Sequence, residues 1–158
     1  MNKKIFKVAI VILIIDQLTK GLITSKLVVN ESIQVVKNFF NITYSMNTGA
    51  AWSILNNHSY IIMFISIIAL IILFRFMYLF DNNKRNNISF GLIIGGTLGN
   101  LIDRIFNGYV IDFIDITIFK YKYPIFNIAD MSIVIGILLL IYAIFKGEDK
   151  SDNKSKRK

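Results

Sequence analysis

Residues 60–80, YIIMFISIIALIILFRFMYLF, decide the fold class. A single charge, Arg75, interrupts an otherwise apolar run. At 1.5 Å rise per residue, about 20 such residues cross the ~30 Å hydrocarbon layer of a bilayer. Soluble domains carry more charge and break their apolar pattern with turns. This chain of 158 residues is instead 54% hydrophobic and built from long Ile/Leu/Phe runs. Working outward, four spans are readable: residues 5–25, weakened by Lys7, Asp16 and Lys20; 59–80; 88–107, rich in glycine; and 124–145. Pro124 suits a helix start, where its missing N–H is not needed. The expected fold is an all-α membrane protein with four transmembrane helices in one polytopic domain, residues 1–146. A basic, disordered tail is expected over 147–158.

The net charge of +8 raises the question of nucleic acid. Its distribution points elsewhere, because the cations cluster beside the apolar spans as topology and headgroup signals do. Lys3, Lys4, Lys7, Lys84, Arg85 and the lysine-rich tail fall on one side. Only Lys26, Lys37, Lys120 and Lys122 fall on the other. The bias places both termini in the cytoplasm and the segments 27–57 and 108–123 on the outer face of the membrane. Lys3 and Lys4 before an apolar run look like a signal peptide, but no small-residue cleavage site follows, so a retained signal-anchor helix is expected. There is no cysteine, which excludes thiolate chemistry, disulfides and lipidation of the chain itself.

Residues 27–57 lie between the first two spans. Their β-branched stretches, with turns at Asn30-Glu31 and Lys37-Asn38, read as a small extracytoplasmic β-sheet on the membrane surface. Trp52 and nearby phenylalanines are suited to anchor it at headgroup level.

The polar residues inside the spans are the informative ones. Asn100, Asp103 and Arg104 stand at i, i+3 and i+4 and share a helix face. They are either an interfacial ion pair or the brace of a polar site. Asp16 and Lys20, also i, i+4, are either an intrahelical pair or support for that site. Asn47 to Trp52 is either a turn before the second helix or a loop lining a groove, with Gly49 giving backbone freedom. Asp130, set about 9 Å below a helix start at Pro124, is harder to dismiss. A carboxylate at such depth costs on the order of 3 kcal/mol and is retained for a function. Asn127 lies one turn earlier on the same face. Asp112, beyond a helix end at Gly108, is by itself either a loop or capping residue, as is Asp115. Paired with Asp130 it can share a proton and activate a water.

Competing chemistries fit poorly. His58 is the single histidine and falls in a loop. No H-E-x-x-H motif for zinc and no phosphate-binding Gly-Lys-Ser/Thr loop occurs, so neither metal nor cofactor is expected. A proton or ion channel would spread its polar groups along a pore, and these crowd one half. A non-enzymatic anchor would make the aspartates dispensable.

Five segments, in order, resemble the bacterial lipoprotein signal peptidase (signal peptidase II) family. They are Asp16-Gln17-Leu18-Thr19-Lys20, Asn47-Thr48-Gly49-Ala50-Ala51-Trp52, Gly95 to Arg104, Gly108 to Phe113, and Phe126-Asn127-Ile128-Ala129-Asp130. The main departure is Thr97, where the family often has alanine. The resemblance spans nearly the whole chain except the tail. It implies an aspartic endopeptidase of four transmembrane helices with an outer β-cradle; nothing in the sequence suggests an obligate partner, so a monomer is expected. The implied substrates are prolipoproteins carrying diacylglycerol on the lipobox cysteine, cut on the N-terminal side of that cysteine. It implies Asp112 and Asp130 as the catalytic dyad, with Asp16, Lys20, Asn47, Gly49, Asn100, Asp103, Arg104 and Asn127 in support. Membrane lipids and globomycin-type inhibitors are the other implied partners.

Overall fold

The computed structural model describes residues 3–49, 55 and 58–148. Four long helices and four strands follow in the order α1 (Lys3–Lys26), β1 (Ser32–Val36), β2 (Phe40–Asn47), α2 (Ser59–Phe76), α3 (Lys84–Asn107), β3 (Val110–Ile118), β4 (Tyr121–Lys122) and α4 (Ile128–Phe145). A 3-10 turn, Met77–Leu79, extends α2. Among the described residues, three helices are long and apolar enough to cross a membrane: α2 with its extension, α3 and α4. α1 has the length but carries charges within it.

Polar and apolar groups are distributed the opposite way from a soluble protein. Phe64, Ile71, Ile72, Val134 and Leu138 point outward, while Asp16, Lys20, Asn86, Asn100, Asp103, Asp112 and Asn127 are buried. An apolar exterior is what a helix bundle presents to lipid, and buried polar groups then have to pair with each other.

α3 is the central helix, packed along α4 and α1 and more lightly along α2. Its glycines make this possible. A Cβ on Gly95 would lie 2.6 Å from the carbonyl oxygen of Ala9 on α1, and one on Gly99 would lie 2.5 Å from the Asp16 carboxylate. Neither neighbour is a flexible side-chain end that could step aside. Small residues thus let backbones approach closely enough for van der Waals packing to hold helices together in lipid. Asn83 caps the start of α3 by accepting the N–H of Asn86, and Gly108, at φ 81°, ends it in the left-handed conformation.

The sheet differs from expectation. It has the order β1-β2-β3-β4, all antiparallel. Half of it comes from residues 110–122, between α3 and α4, and not from 27–57 alone. Val110–Ile118 carries β-branched residues suited to a strand, but its two aspartates disfavour one locally. Tertiary partners for both carboxylates override that preference. Asp115 is accordingly no loop residue: it is 1% exposed. Trp52, the expected interfacial anchor, and the tail from residue 149 onward lie outside the described residues.

β2 and β3 pair with one irregularity. Ile42 faces Ile114 and Ser45 faces Asp112, so Thr43 and Tyr44 together oppose Phe113. This is a β-bulge, and both bulged residues are buried.

α4 also begins later than Pro124 suggests. Residues 124–126 stay extended, because Phe126 accepts the N–H groups of Phe113 and Ile114 and donates to the carbonyl of Ile114. Asn127 is the N-cap, and Asp130 completes a capping box with it. Asp130 therefore sits in the first turn of α4 and not deep within the helix.

Replacing Gly95 by leucine should wedge α1 from α3. A stability loss of about 2 kcal/mol is expected for such overpacking, read as a lowered thermal midpoint in detergent, whereas Gly21→Leu, at a position with open space, should leave the midpoint nearly unchanged.

Candidate active site

Lys20 anchors the site. Its Nζ lies 2.8 Å from Asp16 Oδ2, 2.9 Å from Asp103 Oδ2 and 3.0 Å from Asn100 Oδ1, and the side chain is almost wholly buried. An ammonium has three protons, and all three are matched. The two carboxylates are tied further. Asp16 Oδ1 accepts the backbone N–H of Ala129 at 2.9 Å, which joins α1 to the first turn of α4. Asp103 Oδ2 accepts the N–H of Ile111 at 3.1 Å, which holds the start of β3 against α3. Gln17 donates to Asp103 Oδ1 at 3.0 Å.

Lys20 also fixes which way Asn100 faces. A lysine can only donate, so the Asn100 oxygen must point at it. The Asn100 amide nitrogen is then presented to Asp130 Oδ1, 2.7 Å away. Asn100 Oδ1 also accepts from Asn127 Nδ2 at 3.1 Å.

Asn127 connects the two candidate catalytic carboxylates. Its Nδ2 donates to Asp112 Oδ1 at 2.7 Å. Its backbone N–H donates to Asp130 Oδ2 at 3.2 Å, and its Oδ1 accepts the Asp130 N–H at 2.9 Å. One residue thus holds the β3 aspartate with its side chain and the α4 aspartate with its backbone.

Asn47 closes the other side. Its Oδ1 accepts the N–H of Gly49 at 2.9 Å, which leaves Nδ2 to donate to Asp112 Oδ2 at 2.8 Å. The Gly49 carbonyl in turn accepts from Arg104 Nη2 at 2.9 Å. Arg104 Nη1 donates to the Asn100 carbonyl at 3.3 Å, and its Nε is buried without a partner among the described residues.

All ten residues singled out in the sequence belong to this one connected network. Neither Asp16–Lys20 nor Asp103–Arg104 is an isolated surface pair: Asp16, Lys20 and Asp103 are buried together. Gln17 was not singled out, although it lies in the first motif. On a helix adjacent residues do not share a face, so spacing alone gives no reason to join it to Asp16. Thr43 and Asp115 were also not singled out. Thr43 Oγ1 donates to Asp115 Oδ2 at 2.9 Å, and no helical or alternating pattern marks that pair. Ala50, Ala51 and Trp52 of the second motif lie outside the described residues. No group of three or more His, Cys, Asp or Glu among the described residues is arranged to hold a metal ion.

Four carboxylates (Asp16, Asp103, Asp112, Asp130) meet two cations (Lys20, Arg104) in this network. Both cations are engaged, and an excess of buried negative charge favours protonation of a carboxylate. Asp112 responds accordingly. Burial foremost, then the charge of Asp130, pushes it up to about 7, against the opposing hydrogen bonds from Asn47 and Asn127.

The comparisons with known proteins bear on this arrangement. Residues 8–146 match the family model of signal peptidase (SPase) II. The lipoprotein signal peptidase of Staphylococcus aureus strain bovine RF122 / ET3-1 is 42% identical over 165 residues, covering 99% of this chain and 98% of that protein. This chain belongs to the signal peptidase II family. The enzyme of S. aureus strain JH9 is similar to the same degree, again 42% identical over 165 residues. Two solved structures agree in fold. A bacterial membrane enzyme determined by the in meso method at 2.3 Å resolution superposes with a TM-score of 0.82 at 42% identity, over 90% of this chain and 87% of that one. A second, at 1.9 Å resolution, gives 0.79 over 90% and 92%. Membership supports cleavage of prolipoprotein signal peptides as the activity and a membrane location for the chain.

The Asp112 environment makes a stability prediction. Its folded value lies above the unfolded carboxylate value of about 3.9. Between about pH 4 and 7 the folded state therefore keeps a proton that the unfolded chain has released. Stability from this group falls as pH rises through that window. Asp112→Asn removes the titration, so the thermal midpoint of the variant should gain on the wild type from pH 4 to pH 8. A constant difference across that range would contradict the raised value.

Proposed function

We propose that this chain is an intramembrane aspartic endopeptidase that removes signal peptides from prolipoproteins. It cuts on the N-terminal side of a cysteine already carrying diacylglycerol. The observation that carries the reading is Asn127, which binds Asp112 through its side chain and Asp130 through its backbone. Two carboxylates so held, in a buried setting with surplus negative charge, are suited to share one proton around a water.

In the proposed mechanism the ionised member of the dyad takes a proton from the water as it attacks the scissile carbonyl. The protonated member donates to the carbonyl oxygen and then to the leaving amine. Asn47, Asn100 and Asn127 hold three of the four dyad oxygens with their side-chain amides, and the Asn127 backbone holds the fourth. The unpartnered Nε–H of Arg104 is available to a substrate carbonyl beside the dyad. Titration of such a pair belongs to both members together. Protein residues alone suffice for this chemistry, so no cofactor enters.

The wider setting follows the same reading. α1 serves as a fourth membrane span beside the three helices apolar enough by composition. The Lys and Arg bias puts both termini in the cytoplasm and the sheet and dyad at the outer face of the cell membrane. The substrate's acyl chains lie in the bilayer against the apolar exteriors of the helices. The enzyme acts as a monomer, and globomycin-type cyclic peptides compete for the dyad's groove.

Asp112→Asn and Asp130→Asn should each lower cleavage of a diacylglyceryl prolipoprotein by about 1,000-fold while the purified protein keeps its fold. Full activity in either variant, or equal cleavage of the unlipidated precursor by the wild type, would remove this reading.

A further inference from the structure

Strand alternation fixes which side chains share a face of the sheet. Directly paired residues lie on one face, and residues one step along lie on the other. Ser45 pairs with Asp112 and Asn47 pairs with Val110. Asn47 and Asp112 are therefore diagonal neighbours on the same face, close enough for the 2.8 Å hydrogen bond between them.

This holds only because of the bulge. Continued without it from Ile42–Ile114, the ladder would place Tyr44 opposite Asp112 and Met46 opposite Val110. Asn47 would then lie on the opposite face. The extra residue at Thr43-Tyr44 reverses the alternation for the rest of β2. A side chain is re-aimed at the site by one inserted residue, as bulges beside active sites do.

The bulge is held in place by side chains. Thr43 Oγ1 bonds Asp115 Oδ2 on β3 at 2.9 Å and Ser32 Oγ on β1 at 2.8 Å. Asp115 is 1% exposed, so its carboxylate has little water to replace a lost partner. Lys122 also reaches Asp115, at 3.2 Å, but the lysine is 62% exposed and such a pair contributes little. The backbone adds two bonds: the Asn30 N–H to the Tyr44 carbonyl at 2.8 Å, and the Tyr44 N–H to the Glu31 carbonyl at 3.0 Å.

We infer that Thr43 and Asp115 form a clasp that locks the β2 bulge and thereby aims Asn47 at Asp112. Thr43 is a positioning residue: it touches neither dyad carboxylate and acts through Asn47. The inference rests on the peptidase reading for its kinetic effect, whereas the register claim stands independently.

The test uses the full-length protein in detergent. Thr43→Val, which keeps the shape and removes the hydroxyl, should lower kcat about tenfold, the scale of a hydrogen bond to a charged group, with KM nearly unchanged. Thr43→Ser should restore it, and Lys122→Ala should stay near wild type. In an Asn47→Ala background, Thr43→Val should cause no further loss. Asp112 is faced by Asp130 of α4 and its N-cap Asn127, Lys20 of α1, Arg104 of α3, and Asn47 of β2. Of these, Thr43→Val should release only Asn47. The pH–rate profile should therefore shift toward higher pH in Thr43→Val and in Asn47→Ala alike, because each withdraws a donor from the Asp112 carboxylate.

A cysteine-free chain also permits a readout without activity. The pair Met46→Cys/Ile111→Cys, directly opposed across β2 and β3, should cross-link in the otherwise wild-type protein. Adding Thr43→Val should move cross-linking toward Ser45→Cys/Ile111→Cys. Additive losses, failure of serine to rescue, or an unchanged cross-linking pattern would overturn the clasp. A wild type inactive on lipidated substrate would overturn the peptidase reading alone, and the cross-links would still decide the clasp.

Discussion

A lysine ammonium with almost no contact with solvent organises the polar half of this molecule. Lys20 meets Asp16, Asp103 and the Asn100 oxygen, each within 3.0 Å. Through Asp16 it fastens α1 to the start of α4, and through Asp103 it fastens α3 to the start of β3. A buried ion cluster of this kind is a poor source of net stability, since desolvation offsets much of the attraction. Removing one member is another matter, at roughly 3–5 kcal/mol for the charge left behind. The cluster therefore specifies an arrangement more than it strengthens the fold. The elements that carry Asp112 and Asp130 are each tied to it by a hydrogen bond, β3 through Asp103 and α4 through Asp16.

Polar specification needs close helix contacts, and here sequence and geometry meet. A lysine side chain can reach α3 carboxylates and amides only if α1 lies close along α3, and the glycines of α3 permit that. The same glycine-rich face lowers the apolar character of α3. Its composition is the least lipid-like of the three candidate spans, and it is also the most enclosed. Lipid-facing duty falls to α2, which is apolar along almost its whole length, with Arg75 its single charge.

The helices were legible in the sequence because an apolar run of membrane length is stable almost nowhere but in a bilayer. The polar residues within those runs stood out for the same reason. The strand carrying Asp112 was not legible. Val110–Ile118 owes its extended form to β2 on one side and Phe126 on the other, and both partners are remote or unmarked in sequence. Pro124 misled in an instructive way. A proline favours a helix start, but Asn127 offers a cap with a reciprocal partner at Asp130, and the chain between is held extended by Ile114. Asp115 looked like a loop residue because its partner, Thr43, lies 72 positions away. Long-range side-chain pairing was the component that local pattern could not supply.

The capping box at the start of α4 has a consequence for the level at which Asp130 is held. α4 is 18 residues long, about 27 Å, close to the thickness of a hydrocarbon layer. In a bilayer, a helix of that length acts as a ruler: with its last turn at one boundary, its first turn reaches the other. Asp130 is bound to that first turn by the same hydrogen bonds that start the helix. With α4 spanning the bilayer as proposed, the Asp130 carboxylate is thereby held at the level where water, peptide backbone and the glycerol end of a lipid coexist, and shortening the ruler by a turn would draw it about 5 Å into hydrocarbon.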